Sequence, residues 1–327
     1  VKQAVILIGT LTISLLLTAC GEQSQTAVES TADYPSKPIR VIIPFGPGGL
    51  ADVTLRLAGE PLGEGLGQRL VIENRPGAGG VAATTNILNS EADGYTLIVL
   101  TNGTTIAETL FDKLPYQITE DLVPVSSVTW FDLVLLVHPD AGVESLEALL
   151  AEKGNDLKIA TINPGSTQNL TAELFNTRSG IDATIIPYRT TPDVLGALLR
   201  QEVDLVIDAY TALKGAIDSG QARPVAVTGE SRNPAMPDVP TVTEAGIEDF
   251  VVTGWNALYA KAGTPPEILR QLNDSVARVV NTQDIQNRFR ELGVEARATS
   301  AEQMQERLLD DIEKWRQVIE TAGIDTL

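Results

Sequence analysis

The stretch "RVIIPFGPGGLADVTLRLAGE", residues 40–60, sets the reading of the whole chain. An apolar run ends at Pro44, the turn Gly46-Pro47-Gly48-Gly49 follows, and apolar residues at helical spacing begin at Leu50. This order places a helix N-terminus, with unpaired N–H groups and the positive end of the helix dipole, at the end of a strand. Two specific readings of the turn fail. A phosphate loop needs a lysine and a hydroxyl after its glycines, where this chain has Asp52, and "GPGGLA" lacks the glycine spacing of a dinucleotide fingerprint. What remains is either a tight loop or a turn whose bare amides approach an anion. Asp52, in the first helical turn, reads most simply as a cap.

Outward from this stretch the same alternation repeats. "IRVII", "RLVIE", "YTLIVL", "LKIAT", "ATIIP", "VDLVI" and "RPVAV" read as strands. Between them "LADVTLRLAGEPLGEGL", "GVAATTNILNS", "SLEALLAEK", "TAELFNTRSG", "PDVLGALLRQ" and "TALKGAIDSG" read as helices. Such spacing implies βα units, hence an α/β fold with mainly parallel sheets and helices on both faces. From Pro265 to about Ile324 the pattern is nearly all helical. Two extended runs, 121–140 and 250–266, are too long for ordinary strands and read as connections between two lobes. The expected first lobe joins 34–128 to 255–327, and the expected second lobe is 129–254. No repeat of fixed period is present.

The chain has 327 residues, a formal charge of −19 and 43% hydrophobic residues, enough apolar material for packed cores. That charge argues against a nucleic-acid binder, which draws its affinity from a basic stripe, and against docking on anionic lipid. The N-terminal "VKQAVILIGTLTISLLLTAC" has one lysine, an apolar run shorter than a membrane span, and small residues before Cys20. It reads as an export signal over 1–19 ending in a lipobox-like L-T-A-C, with Cys20 the lipidated first residue of the mature chain. "GEQSQTAVESTAD" then reads as a flexible tether, so that 20–33 lies outside the folded part. Cys20 is the only cysteine, so the exported domain holds no disulfide.

A second strand–turn–helix lies at "IATINPGSTQNLTAELF", residues 159–175, where Ser166 or Thr167 caps the helix after Asn163-Pro164-Gly165. Alone it is equally a well-capped connection. Paired with the first, it gives each lobe one glycine turn feeding a helix N-terminus, as a ligand clamped between lobes requires. "ENRPGAGG" offers Arg75, which either meets a carboxylate or pairs with Glu73. Tyr188, Arg189 and Thr190 stand before a helix and either line the rim of the second lobe or face water.

These motifs, in this order, resemble a known family. "YPSKPIRVIIPFGPGGLADVTLR", "GQRLVIENRPGAGG", "DGYTLIVLTNG", "LPYQITEDLVPVS", "IPYRTTPDVLGALLRQEVDLVID", "ARPVAVTGESRNPAMPDVPTVTEAG" and "GWNALYAKAGTPPEIL" are similar to the Bug family, the extracytoplasmic solute receptors of tripartite tricarboxylate transporters. The resemblance covers nearly everything from Tyr34 onward. It implies a two-lobed periplasmic-binding-protein fold (type II) closing on a small carboxylate, which is delivered to the membrane subunits of the transporter. It also implies that loop amides and hydroxyls hold one carboxylate, with ordered water assisting. Carried over here, that set is Phe45, Gly46, Pro47, Gly48, Gly49 and Asp52 in one lobe and Gly165, Ser166, Thr167 and Asn169 in the other. Thr101 and Asn102 of the third motif, with Tyr188, Arg189 and the strand-end acid Asp208, complete the expected ligand set. The chain departs from the family pattern at Asn163 and Asn169, and at Trp255-Asn256-Ala257, where the family has Trp-x-Gly. The ligand stays open among di- or tricarboxylate, amino acid and aromatic acid.

Chemistry on the ligand finds no support in the residues. A nucleophile needs an adjacent base, yet the single histidine, His138, lies on the expected crossing, where it reads as structural. No His/Cys/carboxylate grouping has metal spacing, so neither metal nor cofactor is expected. A receptor that presents its bound ligand to a membrane signalling partner is the alternative to transport.

Overall fold

The opening stretch forms strand β1 (Ile39–Ile43) and helix α1 (Leu50–Leu66). The computed structural model describes residues 33–76, 80–111, 113–162, 164, 166–324 and 326. The expected leader, Cys20, the expected tether apart from Asp33, Asn163 and Gly165 lie outside them. Strand β1 is apolar almost throughout because it is covered on both faces and flanked on both edges. Its parallel neighbours are β2 (Leu70–Asn74) and β3 (Thr96–Thr101). Helix α1 buries Ala51, Leu55, Ala58, Leu62 and Leu66, one stripe at helical spacing. It ends at Gly67, whose φ of 70° suits glycine and whose N–H closes on Gly63 and Glu64.

Helix α2 (Val81–Leu88) connects β2 to β3, and α3 (Asn102–Leu110) follows β3 directly. After the short α4 (Ile118–Asp121) comes β4 (Leu122–Val137), a strand of 16 residues. At about 3.3 Å per residue it is about 50 Å long, enough to pass through two sheets. The second βα series is α5 (Leu146–Lys153), β5 (Lys158–Ile162), α6 (Thr167–Ser179), β6 (Thr184–Tyr188), α7 (Thr191–Leu199), β7 (Leu205–Ala209), α8 (Tyr210–Asp218) and β8 (Arg223–Val227). The chain returns through β9 (Thr253–Lys261) and finishes with α9 (Pro266–Val280), α10 (Gln283–Glu291), the two-residue β10 (Glu295–Ala296) and α11 (Ala301–Ala322).

Strand order is β2-β1-β3-β9-β4-β7-β5-β6, with β8 and β10 also on β4. Each sheet therefore has three parallel strands from its βα units, and the long strands join them antiparallel. Strand β4 pairs with β9 through Asp132 and with β7 from Leu133 onward. The change of partner falls inside the first expected crossing. The second crossing is stitched to it by Thr228. Its hydroxyl donates to the Val252 carbonyl at 2.6 Å and accepts from the Leu133 N–H at 2.9 Å. Helix α11 grips the same segment: Arg307 donates to the Thr253 carbonyl at 2.9 Å, and Asp311 accepts from the Trp255 indole at 2.6 Å.

Helix α11, within the expected first-lobe segment 255–327, packs against two cores. Met304 and Leu308 join a core with Ile42, Ile98 and Trp255, whereas Trp315, Val318 and Ile319 join Leu133, Leu170 and Phe175 in the core of the second. Ile106 and Leu110 of α3 enter that second core too. The physical reason is that a helix of 22 residues outreaches one lobe. At 1.5 Å per residue it spans about 33 Å.

Asp132 sits at the change of partner, with its carboxylate in the space that a side chain on Gly229 would fill. Burial pushes its carboxyl up to about 7, and Glu295 and Glu230 push the same way. Between the ordinary value of 3.8 and about 7 the folded protein keeps a proton that the unfolded chain has lost. Stability therefore falls as pH rises through that window and levels off above it. In thermal unfolding, Asp132→Asn should gain on wild type between pH 5 and pH 8. An equal pH dependence in both proteins would show that Asp132 is not the group responsible.

Candidate functional site: two helix starts facing one junction

Strand register turns the carboxyl ends of the two parallel strand groups toward one junction. Thr101, at the C-terminal end of β3, pairs with Asn256, which pairs with Thr129 of β4. Ala209, at the C-terminal end of β7, pairs with Leu133 of β4. The ends of the two parallel strand groups thus face each other across four residues of β4, about 13 Å. Ligands of open α/β sheets sit at the carboxyl ends of strands, and here two such ends oppose.

On the first side the chain leaves β1 through Pro44–Gly49. Gly48 has φ +83°, a left-handed conformation that glycine adopts without strain. Helix α1 has no side-chain cap at Gly49, so its first-turn N–H groups are left for another partner. A side chain on Gly49 would find only the Gly46 carbonyl, 3.8 Å away. Asp52 does not face outward. It is 4% exposed, accepting from the Gly48 N–H at 2.9 Å, Arg56 Nε at 2.9 Å and Asn74 Nδ2 at 3.0 Å. Burial raises its carboxyl, but the donors from Arg56, Gly48 and Asn74 outweigh it and hold the pKa below the ordinary value. Asn74 also donates to the Phe45 carbonyl at 3.1 Å, so the loop is held from both ends. Phe45 itself is 41% exposed.

On the second side Ser166 caps α6. Its hydroxyl accepts from the Asn169 N–H at 3.1 Å and donates to the Ile162 carbonyl at 2.7 Å. The hydroxyl hydrogen is thereby committed to the backbone, and the N–H groups of Thr167 and Gln168 are the first-turn donors left over. Asn169 is buried at 7% exposure.

The remaining expected residues divide. Thr101 caps α3 within a capping box. Asn102, 2% exposed, accepts from the Trp255 N–H at 2.8 Å and donates to the Thr253 carbonyl at 3.3 Å, which fastens α3 to the second crossing. Tyr188 ends β6 half-buried, and Arg189 is exposed with no ion pair among the described residues. Arg75 pairs with Glu73 at 3.1 Å. Asp208 is 1% exposed and accepts from Gln168 Nε2 at 2.8 Å, Thr191 Oγ1 at 2.6 Å and the Ala209 N–H at 2.7 Å. Burial raises its carboxyl above the ordinary value despite those three donors.

Sequence reasoning passed over Gln168, Asn74 and Arg56, which hold the acids of the site. Arg56 carried a local signal, four residues beyond Asp52 on one helix, whereas Asn74 and Gln168 carried none. The amide nitrogen of Asn256 has no partner among the described residues and borders a cavity of about 10 Å³ beside Ala51 of α1. A larger cavity of about 690 Å³, bordered by Asp132, Glu230, Glu295, Arg297 and Arg307, touches none of the expected ligand residues. Among the described residues no group of His, Cys, Asp or Glu is placed to hold a metal ion.

The comparisons agree with this architecture. The family model described as "Tripartite tricarboxylate transporter family receptor" matches residues 54–324. The Bordetella pertussis protein BugT is 34% identical over 299 residues, 90% of this chain and 92% of BugT. The Rhodopseudomonas palustris protein Rpa4515, solved with adipate, is 33% identical and superposes with a TM-score of 0.79 over 90% of this chain and 100% of its own. MatC of the same organism, solved with bound malate, is 31% identical, with a TM-score of 0.73 over 88% of this chain and 100% of its own. With a two-lobed fold and these likenesses along nearly its whole length, the chain belongs to the tripartite tricarboxylate transporter family of solute-binding receptors.

Proposed function

We propose that this receptor captures a small carboxylate between its lobes and hands it to the membrane subunits of a tripartite transporter. The observation that carries the reading is the opposition of two helix starts, one uncapped at Gly49 and one capped at Ser166, at the carboxyl ends of facing strands. A carboxylate accepts several N–H bonds at once, and each lobe supplies only part of them. Closure therefore gains charge-assisted hydrogen bonds that the open state lacks. The adipate and malate of the relatives are carboxylates, which supports the class without fixing the compound. The lobes are taken as 34–128 with 255–327, and 129–254, with helix α11 reaching from the first onto the core of the second. In this reading the protein works on the outer side of the cell membrane, tethered through lipid on Cys20. Among the described residues no helix is long and apolar enough to cross a membrane.

Calorimetry against a panel of dicarboxylates, with small-angle scattering on any binder, tests the capture. Wild type should bind at least one member and become more compact at saturation. At Gly49 a Cβ meets only the Gly46 carbonyl, 3.8 Å away, and the branched side chain of Gly49→Val fills space before the α1 amides. It should weaken binding by about tenfold or more, the worth of a charge-assisted bond, with an unchanged melting temperature. Binding with no compaction would contradict closure, and undiminished binding by Gly49→Val would move the site elsewhere. For the anchor, cells expressing the exported chain should hold wild type in the membrane fraction and release Cys20→Ser as soluble protein, because two or more acyl chains give stable attachment. Equal fractionation would remove the lipid from the account.

A further inference from the structure

We infer that the two lobes rock on a close-packed joint between Tyr210 and Gly293, and that the cavity of about 690 Å³ beside this joint is the room the rocking uses. The inference rests on the closure reading above and supplies its pivot. By register both residues fall level with Asp132 on one edge of β4, because Ala209 pairs with Leu133 and Glu295 with Trp130, each antiparallel. Tyr210 starts α8 and is 5% exposed, packed in the second-lobe core with Val134, Val206 and Leu213. Gly293 lies in the turn from α10 to β10, and its neighbours Phe289 and Val294 belong to the first-lobe core with Leu55 and Leu97. A Cβ on Gly293 would stand 1.8 Å from Tyr210 Cδ1, so the ring rests on bare backbone. The glycine also has φ +71°, a conformation that residues with a side chain rarely adopt. Next to the ring, the Thr211 hydroxyl donates to the Leu292 carbonyl at 2.8 Å.

The two crossings meet in the same row. Phe131 of β4 pairs with Gly254 of β9, and its ring covers that glycine so closely that a Cβ there would lie 2.3 Å from Phe131 Cζ. The contacts Phe131–Gly254 and Tyr210–Gly293 thus form a line across the strands at the change of partner. Close-packed atoms resist compression, so the lobes turn about such a line more readily than they press into it. The cavity beside it is of the opposite kind. Gly293 and Asp132 border it, with Glu230 and Ala235 on the second-lobe wall and Arg297 and Ala298 on the first. A space walled by charged side chains takes up and gives up water at little cost, so its walls are free to approach or separate. Rigid contact next to a hydrated space is what a rocking joint needs.

The test uses single variants of the full chain. Ala235→Trp and Ala298→Trp wedge bulk into the cavity from its two walls, and either decides if the other does not fold. Gly293→Ala pushes on the Tyr210 ring. Its control is Gly220→Ala, because Gly220 has the same φ of +71° but nothing within 4 Å of a Cβ. Thr211→Val, which removes the bond to Leu292, serves if Gly293→Ala does not fold. Hydrogen exchange of the ligand-free proteins reads the crossing amides of 131–133 and 253–256, with β5, two strands from β4, as the reference for global stability. The crossing amides should exchange about fivefold or more slower in the wedge variants and about fivefold or more faster in Gly293→Ala, with Gly220→Ala like wild type. Small-angle scattering with and without the tightest binder among succinate, malate and adipate reads the motion itself. Wild type should become more compact, and the wedge variants should not. Wedge variants that compact like wild type, or crossing amides that exchange alike in Gly293→Ala and Gly220→Ala, would overturn the joint and leave carboxylate capture standing. Wild type that binds without compacting would remove both. Wild type that binds none of the three acids would count against the capture reading, while the exchange result would still decide the joint.

Discussion

Strand β4 has to serve two sheets, and the place where it changes partners governs the molecule. Through Asp132 it is a strand of the first sheet, paired with β9; from Leu133 it is a strand of the second, between β7 and β8. Because β4 runs antiparallel to its central neighbours on both sides of that point, the parallel strands of each sheet end facing the junction. Helix starts follow strand ends, so two sets of free N–H groups are brought to one gap by register alone. No cation is needed for this, and the arrangement suits a protein with a formal charge of −19. Long-range repulsion fades over about 8 Å at physiological salt, while oriented amides act at contact.

The same constraint explains where the acids of the site point. Asp52 and Asp208 would weaken an anion site if their charge stood free in it. Both are turned inward and surrounded by donors, Asp52 by Arg56, Asn74 and a loop amide, Asp208 by Gln168, Thr191 and a strand-end amide. Each carboxyl then holds the backbone of the loops and helix starts around it, which converts a liability into rigidity. The lobes are not independent bodies on two threads. Helix α11 packs on both, and α3 reaches into the second core, so the proposed closure would have to slide packed helices as well as bend the crossings.

Much of this was legible in the residues because period reveals burial. The stretch 50–66 has the spacing of one helical face and forms α1 over that range, and "IRVII" reads as a strand buried on both sides. Helix α3 was not legible. "TNGTTIAETL" opens with Asn-Gly and three threonines, poor helix formers, and is held by Asn102 bonding to Trp255, 153 residues away. Nor was the division of α11 between lobes, since a helical period shows which face is apolar but not what covers it. At the site the glycine turns were visible, whereas the occupancy of Asp52 and Asp208 was not. Arg56 lies one turn on from Asp52 in the same helix, but Asn74, Gln168 and Thr191 lie on other elements, and only the fold brings them within 3.0 Å.

The central claim is that local backbone amides, not side-chain cations, hold the anion. The salt dependence of ligand affinity tests it most directly. Binding of the carboxylate that copurifies with the protein, or of the tightest member of a dicarboxylate panel, is measured by calorimetry from about 0.05 M to about 0.5 M sodium chloride. Over that range screening shortens from well beyond 10 Å to only a few ångströms. The account predicts a change in Kd of less than about threefold, since amides enclosed at contact distance are screened little. A steep loss of affinity across the same range would contradict it and assign the anion to exposed arginine or lysine side chains.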